Sequence, residues 1–334
     1  MKLLRLAQLI GLVLMAIGML LVGIWWSVAV WYQSTLEPWR SVLSGATALF
    51  ALACILALAS RLRWIGLGAF AGGFALFLGW WATISPTNNR DWAPDVARPV
   101  TATVDGDRIV VSNVRNFNWR SDTDFDQVWE QKTYRLSQVT DVDLIMSYWM
   151  GEAIAHTIVS FGFDDGERLA FSIETRKQTH QSYSSVAGFF KQYELAIVAA
   201  DERDVVRVRS NVRHEDVRLY RLRATPGDAQ RLLLVYLREA NDLARDPQFY
   251  NTLTSNCTTL VFDIARVIHP GLPMDVRVIL AGYLPNYAYD VGATDTSISF
   301  EKLRELSHID AKAAQADGDP DFSARIRDGV PRPH

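Results

Sequence analysis

Three long apolar runs stand close together at the start of this 334-residue sequence, at residues 6–32, 42–59 and 65–84. Each run is long enough to cross a hydrocarbon core of about 30 Å as a helix. None of them contains an aspartate, glutamate, lysine or histidine, which transport or proton relay usually requires inside a membrane. The runs therefore predict three transmembrane helices that act as an anchor.

The short loops between the runs predict the orientation of these helices. Lys2 and Arg5 precede the first run, and Arg61 and Arg63 separate the second run from the third. Cytoplasmic loops carry such an excess of basic residues, so we expect the N-terminus in the cytoplasm. After three crossings, the rest of the chain is expected on the periplasmic side of a bacterial inner membrane.

The charge of the chain argues against a nucleic-acid partner. Residues 1–86 carry five basic residues and one acidic residue, whereas the remaining residues carry 29 basic and 36 acidic ones. Binding of nucleic-acid phosphates needs a basic stripe that releases counterions, and this acidic balance does not supply one. Nucleic acid is therefore not an expected partner.

Composition divides the chain into four parts. These are a membrane anchor (1–86), a proline-punctuated linker (87–99), an extracytoplasmic domain (100–310) and a tail (311–334). The tail is rich in Asp, Arg, Gly and Pro, a composition that predicts poor order.

Strand patterns precede helical patterns in the extracytoplasmic domain. Alternating or apolar runs predict strands at 101–104, 108–112, 155–163, 168–175, 205–210 and 217–222. Helical periodicity begins at Pro226 and again at Cys257. Strands followed by helices indicate an α+β domain with an antiparallel sheet.

Cys257 is the candidate nucleophile. The other cysteine, Cys54, lies within the second apolar run, which leaves Cys257 without a disulfide partner. Ser255 and Asn256 supply an N-cap and the apolar periodicity begins at Leu260, so Cys257 is expected in the first helical turn. The positive end of the helix dipole favours a thiolate there, and the backbone N–H groups are suited to an oxyanion. The alternative is an inert, buried thiol.

His156 is a better candidate for the base than His180, because His156 begins an apolar strand and His180 lies in a polar run. The turn after this strand predicts a hairpin in which residues whose numbers sum to about 330 face each other. Glu174 then lies opposite His156 with Ser172 beside it, so a carboxylate can orient the imidazole. A slip of one residue would turn Glu174 away, and a surface salt bridge with Arg176 is then the alternative.

Several blocks of the sequence occur in a particular order. They are Ala155-His156-Thr157 through Phe161-Gly162-Phe163, Ser172-Ile173-Glu174-Thr175-Arg176-Lys177, Asp201-Glu202-Arg203-Asp204, and Phe249-Tyr250-Asn251 with Asn256-Cys257-Thr258-Thr259. Across about residues 140–285, these blocks resemble the periplasmic domain of the Lnb-type lipoprotein N-acyltransferases. The order of histidine before cysteine also resembles a circularly permuted papain-like cysteine domain.

The resemblance implies roles for four residues. Cys257 would be the nucleophile and His156 the base, with Glu174 and Asn256 as helpers. The implied reaction is acyl transfer from a lipid ester, through a thioester at Cys257, to an amine such as the N-terminus of a lipoprotein. The expected partners are therefore a lipid or lipoprotein substrate and the membrane.

Other functions remain open at this stage. The same dyad would suit an amidase or peptidase acting on cell-wall peptide, and an inert Cys257 would suit a non-catalytic, membrane-anchored binding module. No two His or Cys residues stand at metal-ligand spacing, and no glycine-rich phosphate loop occurs, so no metal or cofactor is expected.

Overall fold

The computed structural model describes residues 2–34 and 38–333. The chain forms two compact units. The first contains the chain up to Thr87 together with Ser184–Gln192, and the second contains Asn88–Tyr183 and the chain from Tyr193 onward.

The first unit is built from three helices, α1 (Lys2–Gln33), α2 (Arg40–Ala57) and α3 (Arg63–Thr83). All three are long and apolar enough to cross a membrane, which confirms that part of the prediction. Small residues bring them close together. A Cβ on Gly23 would lie 2.8 Å from Ala51 Cβ, and one on Gly66 would lie 2.7 Å from Ala57 Cβ. Glycine at such contacts lets membrane helices approach closely.

The segment Ser184–Gln192 returns to these helices although it lies far along the chain. The Phe190 ring stacks on Tyr32 with ring centroids 5.4 Å apart. Lys191 donates from Nζ to the carbonyl groups of Trp81 and Ile84, at 2.9 and 3.0 Å. A cation is favourable at these last carbonyls of α3, where the helix dipole is negative.

The second unit is built on an eight-stranded, mostly antiparallel sheet. The strands of the described chain are β1 (Thr101–Asp105), β2 (Arg108–Arg115), β3 (Asn118–Trp119), β4 (Phe125–Asp126), β5 (Trp129–Arg135), β6 (Val139–Tyr148), β7 (Ala155–Phe163), β8 (Arg168–Arg176), β9 (Glu194–Ala200) and β10 (Asp216–Arg221). The sheet order is β1-β2-β9-β8-β7-β6-β10, with β5 also paired to β2, while β3 and β4 form a separate pair. The β2–β9 contact is parallel.

Helices follow the strands, which confirms the α+β class. They are α4 (Glu202–Val205), α5 (Pro226–Arg245), α6 (Cys257–Ile268), α7 (Val276–Ile279), α8 (Leu284–Asp290), α9 (Phe300–Leu306), α10 (Asp310–Gln315) and α11 (Phe322–Arg325). One expected strand is wrong, because 205–210 falls in α4 and in a π-helical turn over Val208–Val212. The Asp201 side chain accepts the Arg203 N–H and so starts a helix there.

Helices cover both faces of the sheet. On one face, the Tyr236 ring of α5 packs against Phe161, with centroids 5.6 Å apart. On the other face, Ile158 shares a buried cluster with Phe322 and Ile326 from the end of the chain. Each face is therefore buried, as the continuous apolar runs of β7 and β8 require.

Of the segment expected to be a linker, 87–99, the residues from Asn88 onward are part of the second unit. Trp92 and Val96 are buried, and Trp92 forms a β-bridge with Gln178. The Arg176 guanidinium donates to the Val96 carbonyl at 3.0 Å and lies 4.5 Å from the Trp92 ring centroid. The compact unit consequently begins at Asn88.

The expectation of a poorly ordered tail over 311–334 is wrong for residues 311–333, and His334 lies outside the described residues. Phe322 and Ile326 are fully buried. Arg327 donates from Nε to Asp143 Oδ2 at 2.8 Å and from Nη2 to Glu202 Oε1 at 2.6 Å. The composition of the tail did not predict this packing. A few apolar side chains and one arginine attach the tail to the domain, and their partners lie on distant parts of the chain.

Replacing Arg327 with methionine is expected to lower the free energy of unfolding by about 3–5 kcal/mol, because it leaves the buried Glu202 carboxylate without the cation it contacts. Burial alone would raise the pKa of Glu202, but the Arg327 charge outweighs burial and lowers it to about 2. The Arg327–Glu202 pair therefore stabilises the fold above the ordinary glutamate pKa of 4.5. This stabilisation is lost as the pH falls towards 2, because the carboxylate becomes protonated.

Urea-induced unfolding of the full chain in detergent, followed by tryptophan fluorescence, measures this loss. Arg332→Met is the matched control, since Arg332 is exposed and lies 4.0 Å from Asp141. The control is expected to change the free energy of unfolding by less than about 0.5 kcal/mol. Equal losses in the two variants would contradict the role of the buried pair.

Candidate active site

Strands β7 and β8 bring His156 and Glu174 together. Their register pairs Ile158 with Ser172, which is the register expected from the turn between them. His156 Nε2 lies 2.6 Å from Ser172 Oγ and 3.3 Å from Glu174 Oε1. The sequence-derived register therefore places the carboxylate beside the imidazole.

The hydrogen bonds assign a tautomer to His156. Ser172 donates from Oγ to Glu174 Oε1 at 2.7 Å, so this hydroxyl accepts its other hydrogen bond from His156 Nε2–H. Nδ1 is then the nitrogen left to take a proton from the thiol. Burial opposes protonation of His156, but the Glu174 carboxylate and the hydrogen bond with Cys257 raise its pKa above the ordinary value.

Cys257 is the first residue of α6 and is partly exposed. Its sulfur lies beside His156 and the backbone N–H of Thr157. It also lies 3.8 Å from Thr258 Oγ1. Burial alone would raise the pKa of the thiol, but the hydrogen bond and charge of His156, aided by the Thr157 amide, lower it below the ordinary value. These opposite shifts favour a thiolate–imidazolium pair.

Asn256 is the N-cap of α6, and its side chain is committed to that role. Oδ1 accepts the backbone N–H groups of Thr258 and Thr259 at 2.9 and 3.0 Å, and Nδ2 donates to the Thr252 carbonyl at 2.8 Å. Asn256 therefore positions Cys257 through the cap, and its expected role as a helper in catalysis stays a prediction. Because the cap accepts the N–H groups of Thr258 and Thr259, these two amides of the first turn are already engaged.

Replacing Asn256 with alanine is expected to lower the free energy of unfolding by about 1 kcal/mol, the usual effect of losing an N-cap. Asn256→Asp is the control, because a carboxylate oxygen still accepts the two helix N–H groups. It is expected to retain most of the stability when the full chain is unfolded in urea. A loss as large as that of the alanine variant would show that the Thr252 contact, rather than the cap, stabilises this turn.

Arg209 is a site residue that the sequence did not suggest. From the π-helical turn, its Nη2 donates to Glu174 Oε1 at 3.1 Å and its Nη1 donates to Glu215 Oε2 at 3.3 Å. Glu215 also accepts a hydrogen bond from Ser147 Oγ. Burial alone would raise the pKa of Glu174, but His156 and Arg209 together hold it well below its ordinary value. Arg209 therefore helps His156 to keep the carboxylate ionised.

The sequence did contain one signal for this position. Asp201 followed by Glu202 and Asp204 is the pattern of a helix N-terminus with acidic residues in its first turn, and it contradicts a strand over 205–210. Arg176, the alternative partner of Glu174 from the sequence, instead donates to carbonyl groups of the 87–99 segment.

Two tyrosines complete the surroundings of the thiol. Tyr183 and Tyr250 lie beside each other and beside Cys257. Burial, followed by the negative charge of a Cys257 thiolate, raises the pKa of both hydroxyl groups. Both therefore stay protonated at neutral pH and remain hydrogen-bond donors.

One cluster in the described chain has donor atoms spaced closely enough for a metal ion, namely Asp216, His308 and Asp310. Its groups are already engaged with protein partners. Asp216 forms an ion pair with Arg218, and Asp310 Oδ1 accepts the Val217 N–H at 3.0 Å. This arrangement is that of a surface ion-pair cluster.

Fold and site together define a class of protein: an α+β domain that follows three membrane-capable helices and places a cysteine at a helix N-terminus against a histidine. Residues 125–282 match the Lnb N-terminal periplasmic domain family, which confirms the family suggested by the sequence blocks. The matched region contains Cys257, His156, Glu174 and Arg209. Together with the three membrane-capable helices that precede it, the match suggests a membrane-anchored periplasmic domain. No curated protein and no solved structure matches the chain.

Proposed function

We propose that this protein is a cysteine-dependent acyltransferase that acts on lipid-linked substrates outside the inner membrane. The observation that carries the proposal is the cluster of Cys257, His156 and Glu174, with the thiol at the first turn of α6. A nucleophile, a base and a carboxylate that orients the base are the parts that thiol-based acyl transfer needs.

The first half of the reaction forms a thioester. His156 takes the Cys257 proton at Nδ1, and the thiolate attacks the carbonyl carbon of a lipid ester. We assign the Cys257 amide N–H as a donor to the resulting oxyanion. When the intermediate collapses, the bond between the carbonyl carbon and the alcohol oxygen breaks. The imidazolium returns its proton to that oxygen, so an alcohol leaves and an acyl group stays on sulfur.

The second half transfers the acyl group to an amine. The amine nitrogen attacks the thioester carbon, His156 accepts a proton from that nitrogen, and the carbon–sulfur bond breaks. The products are an amide and the Cys257 thiolate, which is reprotonated from His156. The N-terminus of a diacylglyceryl-cysteine lipoprotein is an acceptor of this chemistry, as the family resemblance implies.

The membrane helices support a lipid-linked substrate over a soluble one. They join the domain directly at Asn88 and contain no charged residue within the apolar runs, so anchoring is the role we assign to them. From the basic loops at Lys2 and Arg61, we propose that the N-terminus is cytoplasmic and the α+β domain periplasmic.

Intact mass spectrometry of the full chain in detergent with bacterial phospholipid tests the proposal. The expected result is an acyl mass on the protein that hydroxylamine removes and that an added lipopeptide amine discharges as an amide. Loss of the adduct to water, with cleavage of cell-wall peptides, would instead indicate an amidase or peptidase. If no adduct forms and Cys257 does not react with iodoacetamide near neutral pH, the result would indicate a non-catalytic binding module.

A further inference from the structure

A largely apolar cavity of about 160 Å³ lies between α6 and the sheet. Val142 and Leu144 on β6 and Val159 on β7 line its floor, and Tyr236 of α5 and Tyr287 of α8 line its sides. Leu144 and Val159 are register partners, so they form a continuous patch on the sheet. A dry, apolar cavity of about 150 Å³ is large enough for a benzene-sized ligand, that is about six carbon atoms.

The α6 wall of this cavity lies on the helix stripe that begins with Cys257. Val261, Ala265 and Ile268 line the cavity and follow Cys257 by four, eight and eleven residues, the spacing of one helix face. With a rise of about 1.5 Å per residue, the cavity starts about 6 Å from Cys257 along the helix axis and extends to about 16 Å.

Strand β7 also contacts both the start of α6 and the cavity. Thr157 Oγ1 lies 3.5 Å from Thr258 Oγ1 in the first turn of α6, and Val159 lines the cavity. These two strand residues are two apart, so their side chains lie on the same face of the sheet. The first turn of α6, which begins with Cys257, and the cavity therefore lie on the same face of the sheet. His269, which follows α6, lies at the end of the cavity remote from Cys257, and the charged residues Arg223 and Asp228 also line the cavity.

We propose that this cavity binds the alkyl chain of the acyl group carried on Cys257 and thereby selects long-chain donors. The proposal rests on the proposed function, since it assumes a thioester at Cys257. A chain bound to sulfur would run along the Val261, Ala265 and Ile268 stripe and place about six carbon atoms in the cavity. Each buried methylene favours binding by about fourfold, so chain length should control the acylation rate.

Chain-length selectivity is the first test. The full chain in detergent is treated with p-nitrophenyl acetate or p-nitrophenyl octanoate, and p-nitrophenolate release and protein mass are followed. The wild type is expected to show a kcat/KM at least about tenfold higher for octanoate. Ala265→Phe, which fills the cavity, should abolish this preference and leave the acetate rate within about twofold. Val267→Phe is the control, since Val267 is on α6 but 59% exposed, and it should keep the preference.

A second measurement separates the cavity from catalysis. A free fatty acid with a terminal diazirine is photolysed with the Cys257→Ala protein, and labelled peptides are identified by mass spectrometry. Label is expected within Leu284–Asp290, and it should be lost when Ala265→Phe is added.

The outcomes of the two measurements are distinguishable. Cavity labelling without acylation by either ester would overturn the proposed function and keep the alkyl site. Acylation with equal rates for both esters and no cavity labelling would overturn the alkyl site and keep the nucleophile. If neither acylation nor labelling occurs, both proposals are wrong.

Discussion

Replacement of Cys257 by alanine is expected to abolish the acyl adduct, with a loss of at least about a thousandfold in the rate of ester cleavage. The reason is that the sulfur is both the attacking atom and the atom that carries the acyl group, and no neighbouring side chain can replace it. Intact mass spectrometry before and after hydroxylamine, with phospholipid or p-nitrophenyl octanoate as donor, measures the adduct directly.

Cys54→Ala is the matched control because Cys54 is the other cysteine and is buried within α2. This variant should acquire the same adduct as the wild type. The same hydroxylamine-sensitive mass on Cys257→Ala, or its disappearance from Cys54→Ala, would place the acyl group on another residue and contradict the proposed nucleophile.

Replacement of His156 by glutamine is expected to slow acylation by about 10²- to 10⁴-fold, the usual contribution of a positioned general base. His156 is also the group that lowers the pKa of Cys257 against the opposing effect of burial. Removing it should therefore raise the pKa of the thiol. Iodoacetamide labelling of Cys257 should then be slow at pH 6–7 and increase only at more alkaline pH.

The pH dependence of acylation follows from the pKa shifts of Cys257 and His156. The pKa of Cys257 is lowered and that of His156 is raised, and both shifts increase the population of the thiolate–imidazolium pair. Wild-type acylation should fall at acid pH, where the thiolate is protonated, and the His156→Gln variant should lose activity at neutral pH as well.

His180→Gln is the control for this experiment, because His180 is exposed in a loop. Its acylation rate and labelling profile should match the wild type. Unchanged labelling of Cys257 in His156→Gln would show that the helix N-terminus and the Thr157 amide, rather than the imidazole, lower the pKa of the thiol. Glu174→Gln should have a smaller effect than His156→Gln, because Glu174 acts through the imidazole.

Much of the fold could be predicted because its signals are local. Apolar run length indicated the three membrane-capable helices, and alternation and turn residues indicated the β7–β8 hairpin with its register. The same register placed Glu174 beside His156. The α6 start at Cys257 followed from an N-cap residue before a helical period. The permuted papain-like relationship and the catalytic roles stay predictions.

Other features depend on residues that are distant in sequence. Arg209 reaches Glu174 only because a π-helical turn replaces the expected strand, and Arg327 reaches Glu202 only because the tail packs on the sheet. A prediction from neighbouring residues places both arginines at the surface. The reason is that a charged side chain is buried only where it has partners, and these partners are distant in sequence.

The sequence by itself therefore determined the anchor, the α+β order of elements, the hairpin register and the cysteine at the start of α6. Each follows from hydrogen bonding and hydrophobic periodicity within about ten to twenty residues. Tertiary structure decided that the Asn256 side chain caps α6, that Arg209 donates to Glu174 and that an apolar cavity lies along the helix face that begins with Cys257. These features arise where separate segments pack together, and their free energies depend on long-range contacts and desolvation.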